Sequence, residues 1–199
     1  MKSLFCTSLA VLVAVASAQT YGNTTPFETQ AGNPQDFVLG VQVSISSTVT
    51  LDSFGLIYGI ATSTQLTANG EFALYTSNGG IPQNLVAETG SISLSGSQTF
   101  DNIAFTSHPT VGAGTYWMMS LYDSGANPRY SVLDSGSKVA YWFRPFADGF
   151  NATAPSVTTE NGQNFNFWVN GHAPVPEPAP FAALGFGVLA FAVRRRRTK

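Results

Sequence analysis

The stretch "GTYWMMSLYDSG", residues 114–125, decides the fold class because it has no polar face. Successive side chains of a β-strand point to opposite sides of a sheet, and here both sets are largely apolar. A strand that is apolar on both faces is covered on both sides, so it belongs in the middle of a sheet. The stretch therefore predicts a central strand with Trp117 in the core.

The stretches on either side predict further short strands. Residues 37–45 alternate between apolar and mostly polar side chains, which is typical of a half-buried strand. In residues 48–61 the alternation changes phase at Asp52-Ser53, which indicates a bulge or a tight bend. Residues 71–82 contain Asn78-Gly79-Gly80, a strong turn signal between two strands.

The pattern continues to the end of the mature region without any sustained helical periodicity. Further strands are indicated by residues 91–96, 102–107, 129–136, 138–146 and 165–171. About nine short strands separated by turns predict an all-β fold, an antiparallel β-sandwich of jelly-roll-like form.

The first eighteen residues have the three parts of a secretory signal peptide. Lys2 supplies the positive charge, residues 4–15 are predominantly apolar, and Ala16-Ser17-Ala18 is a small-residue cleavage signal. We expect signal peptidase to cut between Ala18 and Gln19. The only cysteine of the chain, Cys6, lies in the part removed, so the mature protein has no disulfide.

The C-terminal end has three parts as well. Prolines at 174, 176, 178 and 180 exclude helix and interior strand, which leaves an extended spacer over residues 172–180. Residues 181–193 are all apolar or Gly, and Arg194, Arg195, Arg196, Arg197 and Lys199 follow. A hydrophobic helix with cations behind it is typical of a membrane segment with a cytoplasmic stop. We therefore expect a hydrophobic helix at 181–193 and a basic cytoplasmic tail at 194–199.

This ending resembles the PEP-CTERM sorting signal of bacteria. The residues that carry the resemblance are Val175, Pro176, Glu177 and Pro178, then the hydrophobic segment, then the arginine cluster at 194–197. The resemblance implies recognition by an exosortase, a membrane protease-transpeptidase, which cuts near the Pro-Glu-Pro tripeptide. It also implies transfer to the cell surface or extracellular matrix of a Gram-negative-type bacterium.

The charge of the mature region limits its partners. Between Gln19 and Pro178 there are three cations and eleven acids, a net charge of −8, whereas the whole chain carries −2. Nucleic-acid binding depends on neutralising phosphates, so we expect no nucleic-acid partner. An acidic surface suits a soluble exported protein.

We divide the chain into a signal peptide (1–18), an N-terminal segment (19–35), a β-sandwich (36–171), the spacer (172–180), the helix (181–193) and the tail (194–199).

A second resemblance covers residues 72–123. The block "FALYTSNGGIPQNLVAETG" followed by "GAGTYWMMSLYD" is similar to the surface β-sandwich modules of bacterial "choice-of-anchor" proteins. Those modules share a strand ending in Leu-Tyr, a Gly-Gly-x-Pro turn and a later Gly-x-Tyr-Trp strand. The resemblance implies a surface module and no particular chemistry.

Four residues form a candidate glycan-binding set. In "NFNFWVN", residues 164–170, alternation places Trp168 on one face with Asn166 and Asn170. An indole among carboxamides suits sugars, because the ring stacks on C–H faces and the amides bond hydroxyls. Trp142 is a further candidate. The alternative is that both indoles pack at the rim or in the core of the domain.

The pair Asp123 and Asp134, each followed by Ser-Gly, has two interpretations. Asp-Ser-Gly is a hairpin turn in which Asp caps the backbone and Gly takes a positive φ. The other interpretation is a calcium site on the rim, although no EF-hand loop is present. We expect turns, and no cofactor.

Catalytic motifs are lacking. The sequence has no Gly-x-Ser-x-Gly, no His-Glu-x-x-His and no phosphate-binding loop, and its histidines are His108 and His172. We expect a non-catalytic exported protein with a structural or adhesive role in exopolysaccharide or biofilm. The alternatives are a carbohydrate-binding module and a small secreted hydrolase, which would need two carboxylates clustered in a cleft.

Overall fold

The computed structural model describes residues 17–30, 32–59 and 66–174. The described part is all-β, as the sequence predicts, and its strands pair antiparallel in two sheets. Ser17–Ala173 forms one compact unit. The predicted signal peptide up to residue 16, the Pro-Glu-Pro tripeptide, the helix at 181–193 and the basic tail lie outside the described residues.

Thirteen strands and one short 3-10 helix form in this part of the chain. They are β1 Ala18–Gly22, β2 Thr29–Gln30, β3 Phe37–Ile45, β4 Val49–Tyr58, β5 Ala68–Asn78, β6 Ile81–Glu88, β7 Ile92–Leu94, β8 Gln98–Ala104, β9 Thr110–Val111, β10 Gly114–Tyr122, β11 Arg129–Phe143, the 3-10 helix Phe146–Asp148, β12 Thr158–Phe165 and β13 Phe167–His172.

The strands divide into a large and a small sheet. The large sheet has the order β12-β11-β3-β10-β5-β6, with β2 added to β11 and β7 added to β5. The small sheet has the order β1-β13-β4-β8, with β9 added to β4. Two packed antiparallel sheets make this a β-sandwich.

Strand β10 confirms the prediction made from its two apolar faces. It pairs with β3 on one side and β5 on the other, and residues 117–122 are all buried. Met118 and Tyr122 face the small sheet, whereas Trp117, Met119 and Leu121 face the opposite side. Trp117 is fully buried, as predicted, and its Nε1 donates to Ser77 Oγ at 3.2 Å.

The main core lies between the sheets and contains many aromatic rings. Phe54 of the small sheet stacks on Phe72 of the large sheet, with ring centroids 4.8 Å apart. Phe165 and Phe167 stack at 5.2 Å, one from each sheet. Offset and edge-to-face aromatic pairs add packing energy beyond the burial of their area.

A second core lies on the other face of the large sheet. Residues 144–157, here called the strap, cross this face and cover Tyr75, Trp117 and Trp142 with Phe150. The strap is held to β6 by two backbone hydrogen bonds, Leu85 N to Ala152 O at 3.0 Å and Ala154 N to Gln83 O at 2.7 Å. Both faces of the large sheet are covered, one by the small sheet and one by the strap, and this explains why both are apolar.

Two local predictions are confirmed. β5 and β6 form a hairpin whose turn residues, Gly79 and Gly80, have φ of +61° and +79°. In the pairing of β4 with β13, Ser53 faces Asn170 and Leu51 faces Gly171, so Asp52 is the extra residue of a bulge. The phase change in the sequence marks this bulge, and β4 is one strand that continues through it.

Three boundaries differ from the sequence interpretation. Residues 129–143 form one long strand, so Asp134 is not in a hairpin turn: its backbone pairs with Gly162 inside an irregular part of β11. Residues 165–171 are not one strand, because the chain passes from the large sheet to the small sheet at Asn166. The compact unit also begins before residue 36, since β1 pairs with β13 and β2 with β11.

Candidate functional site: a polar groove on the small sheet

A groove of about 580 Å³ lies on the outer face of the small sheet. Its floor is formed by outward-facing residues of β4, β8 and β13, and one wall is the N-terminal segment 18–26. The wall is in place because β1 pairs with β13 over five residues, from Ala18 opposite His172 to Gly22 opposite Trp168. Two of the predicted glycan-binding residues, Trp168 and Asn170, line this groove.

Asn170 ties the groove together. Its Oδ1 accepts from Thr20 Oγ1 at 2.8 Å, and its Nδ2 donates to Asp101 O at 2.7 Å and to Ser53 Oγ at 3.2 Å. Both amide hydrogens are used by these bonds. The side chain therefore joins β13 to β1, β4 and β8 and holds the groove in shape.

Trp168 is buried where it lines the groove and is not an exposed platform. Only 3% of the residue is exposed, and a Cβ placed on Gly55 would come within 2.1 Å of its Cε2 and Nε1. The absence of a side chain at Gly55 makes room for the indole. The ring is thus packed against its neighbours, which is the packing alternative considered from the sequence.

Asn166 is a structural residue. It is fully buried where the chain changes sheets, and its side chain holds the N-terminal segment. Its Oδ1 accepts from Phe27 N at 2.8 Å, and its Nδ2 donates to Thr25 O at 2.6 Å and to Asn23 O at 3.3 Å. The prediction that it faces outward beside Trp168 is wrong, because the change of sheet at this residue interrupts the alternation.

Trp142 is also structural. It is 5% exposed beneath the strap, its Nε1 donates to Asn151 Oδ1 at 3.3 Å, and its ring meets Tyr75 edge-on at 5.8 Å. It belongs to the large sheet, so it does not share a site with Trp168. The guanidinium of Arg144 donates to the carbonyls of Asp148 and Gly149, at 2.8 and 2.9 Å.

Two carboxylates that the sequence did not single out line the groove, Asp52 and Asp101. Asp52 Oδ2 lies 2.9 Å from Nδ1 of His172, the last residue of β13. The carboxylate of Asp101 is exposed and makes no hydrogen bond or ion pair within the described part of the chain. None of the described residues lining the groove is Lys or Arg.

Asp123 lies in a bend after β10 and binds Asn69 of β5. The predicted hairpin turn is wrong here, because Gly125 has no positive φ and β10 does not pair with β11. The carboxylate of Asp123 accepts from Asn69 N at 2.8 Å, from Asn69 Nδ2 at 2.7 Å and from Ser124 Oγ at 3.1 Å. Partial burial acts to raise the pKa of Asp123, but these hydrogen bonds outweigh it and hold the pKa below its ordinary value. The described residues contain no cluster of three or more His, Cys, Asp or Glu suited to a metal. The side chain of Asp134 lies outside the described residues.

A second pair of carboxylates lies away from the groove. Glu71 of β5 and Glu88 of β6 lie beside the strap, on the outer side of the large sheet. Burial, and then the charge of Glu88, raise the pKa of Glu71. Neither residue lines the groove of the small sheet.

The tail is the part of the chain that a known family model matches. Residues 174–197 match the PEP-CTERM protein-sorting motif. The chain carries a PEP-CTERM sorting signal. This confirms the resemblance seen at Val175, Pro176, Glu177, Pro178 and the arginine cluster 194–197. No curated protein and no solved structure matches the chain.

The PEP-CTERM signal defines the route that the protein takes. It indicates an exported protein that is sorted by exosortase to the cell envelope or surface of a bacterium. The motif covers the tail and not the β-sandwich, so the similarity of residues 72–123 to choice-of-anchor modules stays a prediction. Within the described residues no helix is long and apolar enough to cross a bilayer, and the predicted helix 181–193 is not among them.

Proposed function

We propose that this PEP-CTERM protein is a non-catalytic component of the cell surface or extracellular matrix, structural or adhesive in exopolysaccharide or biofilm. The observation that carries the proposal is the sorting motif at residues 174–197, which sends the preceding domain outward. The domain suits such a role because it is a compact unit without cysteine, stabilised by two cores and not by disulfides.

The proposal is tested by following both ends of the protein in cells. One epitope is inserted at Gly112-Ala113, an exposed loop between β9 and β10, and a second follows Lys199. We expect the loop epitope at the surface or in the matrix without the C-terminal epitope, because exosortase removes the tail. A variant with Ala at 176, 177 and 178 is the control, and it should keep both epitopes in the membrane fraction. Native protein in the cytosol would refute the proposal.

A carbohydrate-binding module is the second candidate, and the groove is the observation that favours it. Sugars are bound where hydroxyl and carboxamide groups line a depression beside an aromatic ring. Here Asn170, Thr20 and Asn102 supply the polar groups, and Trp168 lies in the floor. Because this indole lines the groove, its fluorescence should report binding. If a broad panel of polysaccharides leaves the tryptophan emission unchanged, this candidate fails.

A small secreted hydrolase is the remaining alternative. Asp52 and Asp101 line one groove, and two facing carboxylates are what glycoside hydrolysis needs. If the protein were such an enzyme, it would release reducing sugars from a polysaccharide and the double substitution D52N/D101N would abolish the release. We expect no release by the wild-type protein.

A further inference from the structure

We propose that the groove of the small sheet binds an amine-bearing sugar, a glucosamine-type residue of an extracellular polysaccharide. The inference rests on the carbohydrate-binding candidate above and names its ligand class. Its basis is the set of groups that line the groove: two carboxylates, several neutral polar groups and, among the described residues, no Lys or Arg side chain.

The carboxylate of Asp101 is the expected partner of the amine. It is exposed and without a hydrogen-bond or ion-pair partner in the described structure, whereas the backbone carbonyl of the same residue is bonded to Asn170. The carboxylate is therefore positioned by its own backbone and available to a ligand. Hydrogen bonds between an ammonium group and a carboxylate are about twice as strong as those between neutral groups.

Trp168 gives a second, independent sign of a ligand. Trp168 is 3% exposed, and its indole Nε1 has no hydrogen-bond partner in the described part of the chain. The buried side-chain polar atoms without a partner there belong to Asn33 and Tyr122, so Nε1 still contacts solvent. The groove is the cavity that this indole lines. A sugar hydroxyl in the groove would accept the N–H, which is a donor that the fold leaves unused.

The remaining lining suits the body of a sugar ring. Thr20 and Asn102 supply a hydroxyl and a carboxamide, and Ile57 and Pro26 supply apolar surface for C–H groups. A second groove, of about 430 Å³, shares Asp101 and Asn102 with the first and lies on the other side of β8. Asp101 therefore borders both grooves.

Charge selects among polysaccharides. A uronic-acid polymer would meet two carboxylates in the groove and a mature region of net charge −8. Bringing like charges together costs free energy, and the α-amino group that signal cleavage leaves on Gln19 offsets only one of the two carboxylates. A polymer with free amines carries positive charge, so the same carboxylates attract it and favour its binding.

The test compares three oligosaccharides by isothermal titration calorimetry on the mature protein isolated after export. The probes are a β-1,4-glucosamine oligomer, its fully N-acetylated counterpart and an oligogalacturonate. We expect the glucosamine oligomer to bind at least about tenfold more tightly than the acetylated one, with binding weakened by added salt, and no binding of the oligogalacturonate. Acetylation is the informative change, because it removes the positive charge and keeps the sugar ring.

Two charge-matched variants locate the site. D101N should weaken binding of the glucosamine oligomer about tenfold, since a charge-assisted hydrogen bond is lost. E160Q removes one negative charge from β12 in the other sheet and should leave the affinity within about twofold of wild type. Equal effects of the two variants would mean non-specific attraction and would overturn the inference.

The outcomes separate this inference from the candidate function on which it rests. If the acetylated oligomer or the oligogalacturonate binds as well as the glucosamine oligomer, the amine assignment is wrong and the carbohydrate-binding function stands. If no sugar in these probes or in a broad panel shifts the emission of Trp168 or gives heat, both are wrong.

Discussion

At the scale of single residues, Asn166 fastens the N-terminal segment at the point where the chain changes sheets. It bonds three backbone groups of the N-terminal segment from a fully buried position. Asn166→Ala should lower the free energy of unfolding by about 2–4 kcal/mol, because several bonds of about 1 kcal/mol are lost and buried groups are left unpaired. Urea unfolding of the mature protein measures this loss.

The matched control is Asn161→Ala, an exposed position on β12. It should change the free energy of unfolding by less than about 0.5 kcal/mol. Equal effects at positions 161 and 166 would contradict the assignment of Asn166 as the residue that fastens the N-terminal segment.

Gly55 is predicted to be indispensable for the packing of Trp168. A Cβ at this position would lie 2.1 Å from two indole atoms, so Gly55→Ala forces the ring to move. We expect a loss of about 1–3 kcal/mol by overpacking and a red shift of the tryptophan emission. Gly90→Ala is the control, because a Cβ there meets nothing within 4 Å. An unchanged emission in Gly55→Ala would contradict the observed position of the indole.

Asp123 gives a prediction for pH. Its pKa is lowered in the folded protein, so its ionised form stabilises the fold above the ordinary pKa of about 3.9, and this contribution is lost as the pH falls through the folded pKa. Asp123→Asn lacks the contribution at every pH. The difference in unfolding midpoint between wild type and variant should therefore be larger at pH 6 than at pH 2.

The pH comparison is made by urea unfolding at both values. A difference that stays constant with pH would show that the hydrogen bonds to Asn69 and Ser124 do not favour the ionised form. Removal of divalent metal with EDTA should leave both midpoints unchanged, because the carboxylate of Asp123 is occupied by hydrogen bonds from Asn69 and Ser124. A midpoint that falls with EDTA and returns with calcium would favour the rim calcium site instead.

The roles of individual residues were the feature that the sequence predicted least well. The alternation in residues 164–170 is regular, so nothing in it shows that the chain changes sheets at Asn166. The groove carboxylates were missed because Asp52 lies in a bulge and Asp101 in an edge strand, 49 positions apart along the chain. Their proximity depends on strand pairing between β4 and β8, which sequence spacing does not reveal.

At the scale of elements, the strap determines whether the apolar outer face of the large sheet is covered or exposed to solvent. Phe150 is 8% exposed and meets Tyr75 edge-on at 6.2 Å. Phe150→Ala should cost about 3 kcal/mol, at the lower end for a buried phenylalanine, and should increase binding of a hydrophobic dye. The measurement is urea unfolding combined with dye fluorescence.

The same substitution elsewhere provides the control. Phe143, at the end of β11, is 62% exposed, and Phe143→Ala should cost less than about 1 kcal/mol without added dye binding. If the two variants behaved alike, the strap would not be covering a second core.

Elements with strong local signals were predicted correctly. Strand β10 follows from its two apolar faces, the β5–β6 turn from Asn78-Gly79-Gly80, and the bulge of β4 from a phase change at Asp52. Strand β11 was divided in two because Asp134-Ser135-Gly136 has turn residues. The chain continues as one strand there, but its pairing with β12 is interrupted between Asp134 and Lys138, so the local signal marks a bulge and not a chain reversal.

At the scale of the whole molecule, the evidence about function comes from the tail and not from the fold. The sorting motif at 174–197 is legible in sequence because its parts are contiguous and of distinct chemistry. The division into two sheets, the strap over the second core and the groove arise from contacts between distant strands. The sequence therefore predicted the destination and the fold class, and the structure was needed to locate a candidate site.

The central claim is that the β-sandwich is delivered outside the cell and parted from both of its terminal signals. The most direct measurement is the intact mass of the native protein recovered from the cell surface and matrix. The account predicts a species that begins at Gln19 and ends near Pro176–Pro178, with any mass added by the exosortase transfer located at its C-terminus. A surface species whose mass includes the hydrophobic segment and the arginine cluster would contradict it.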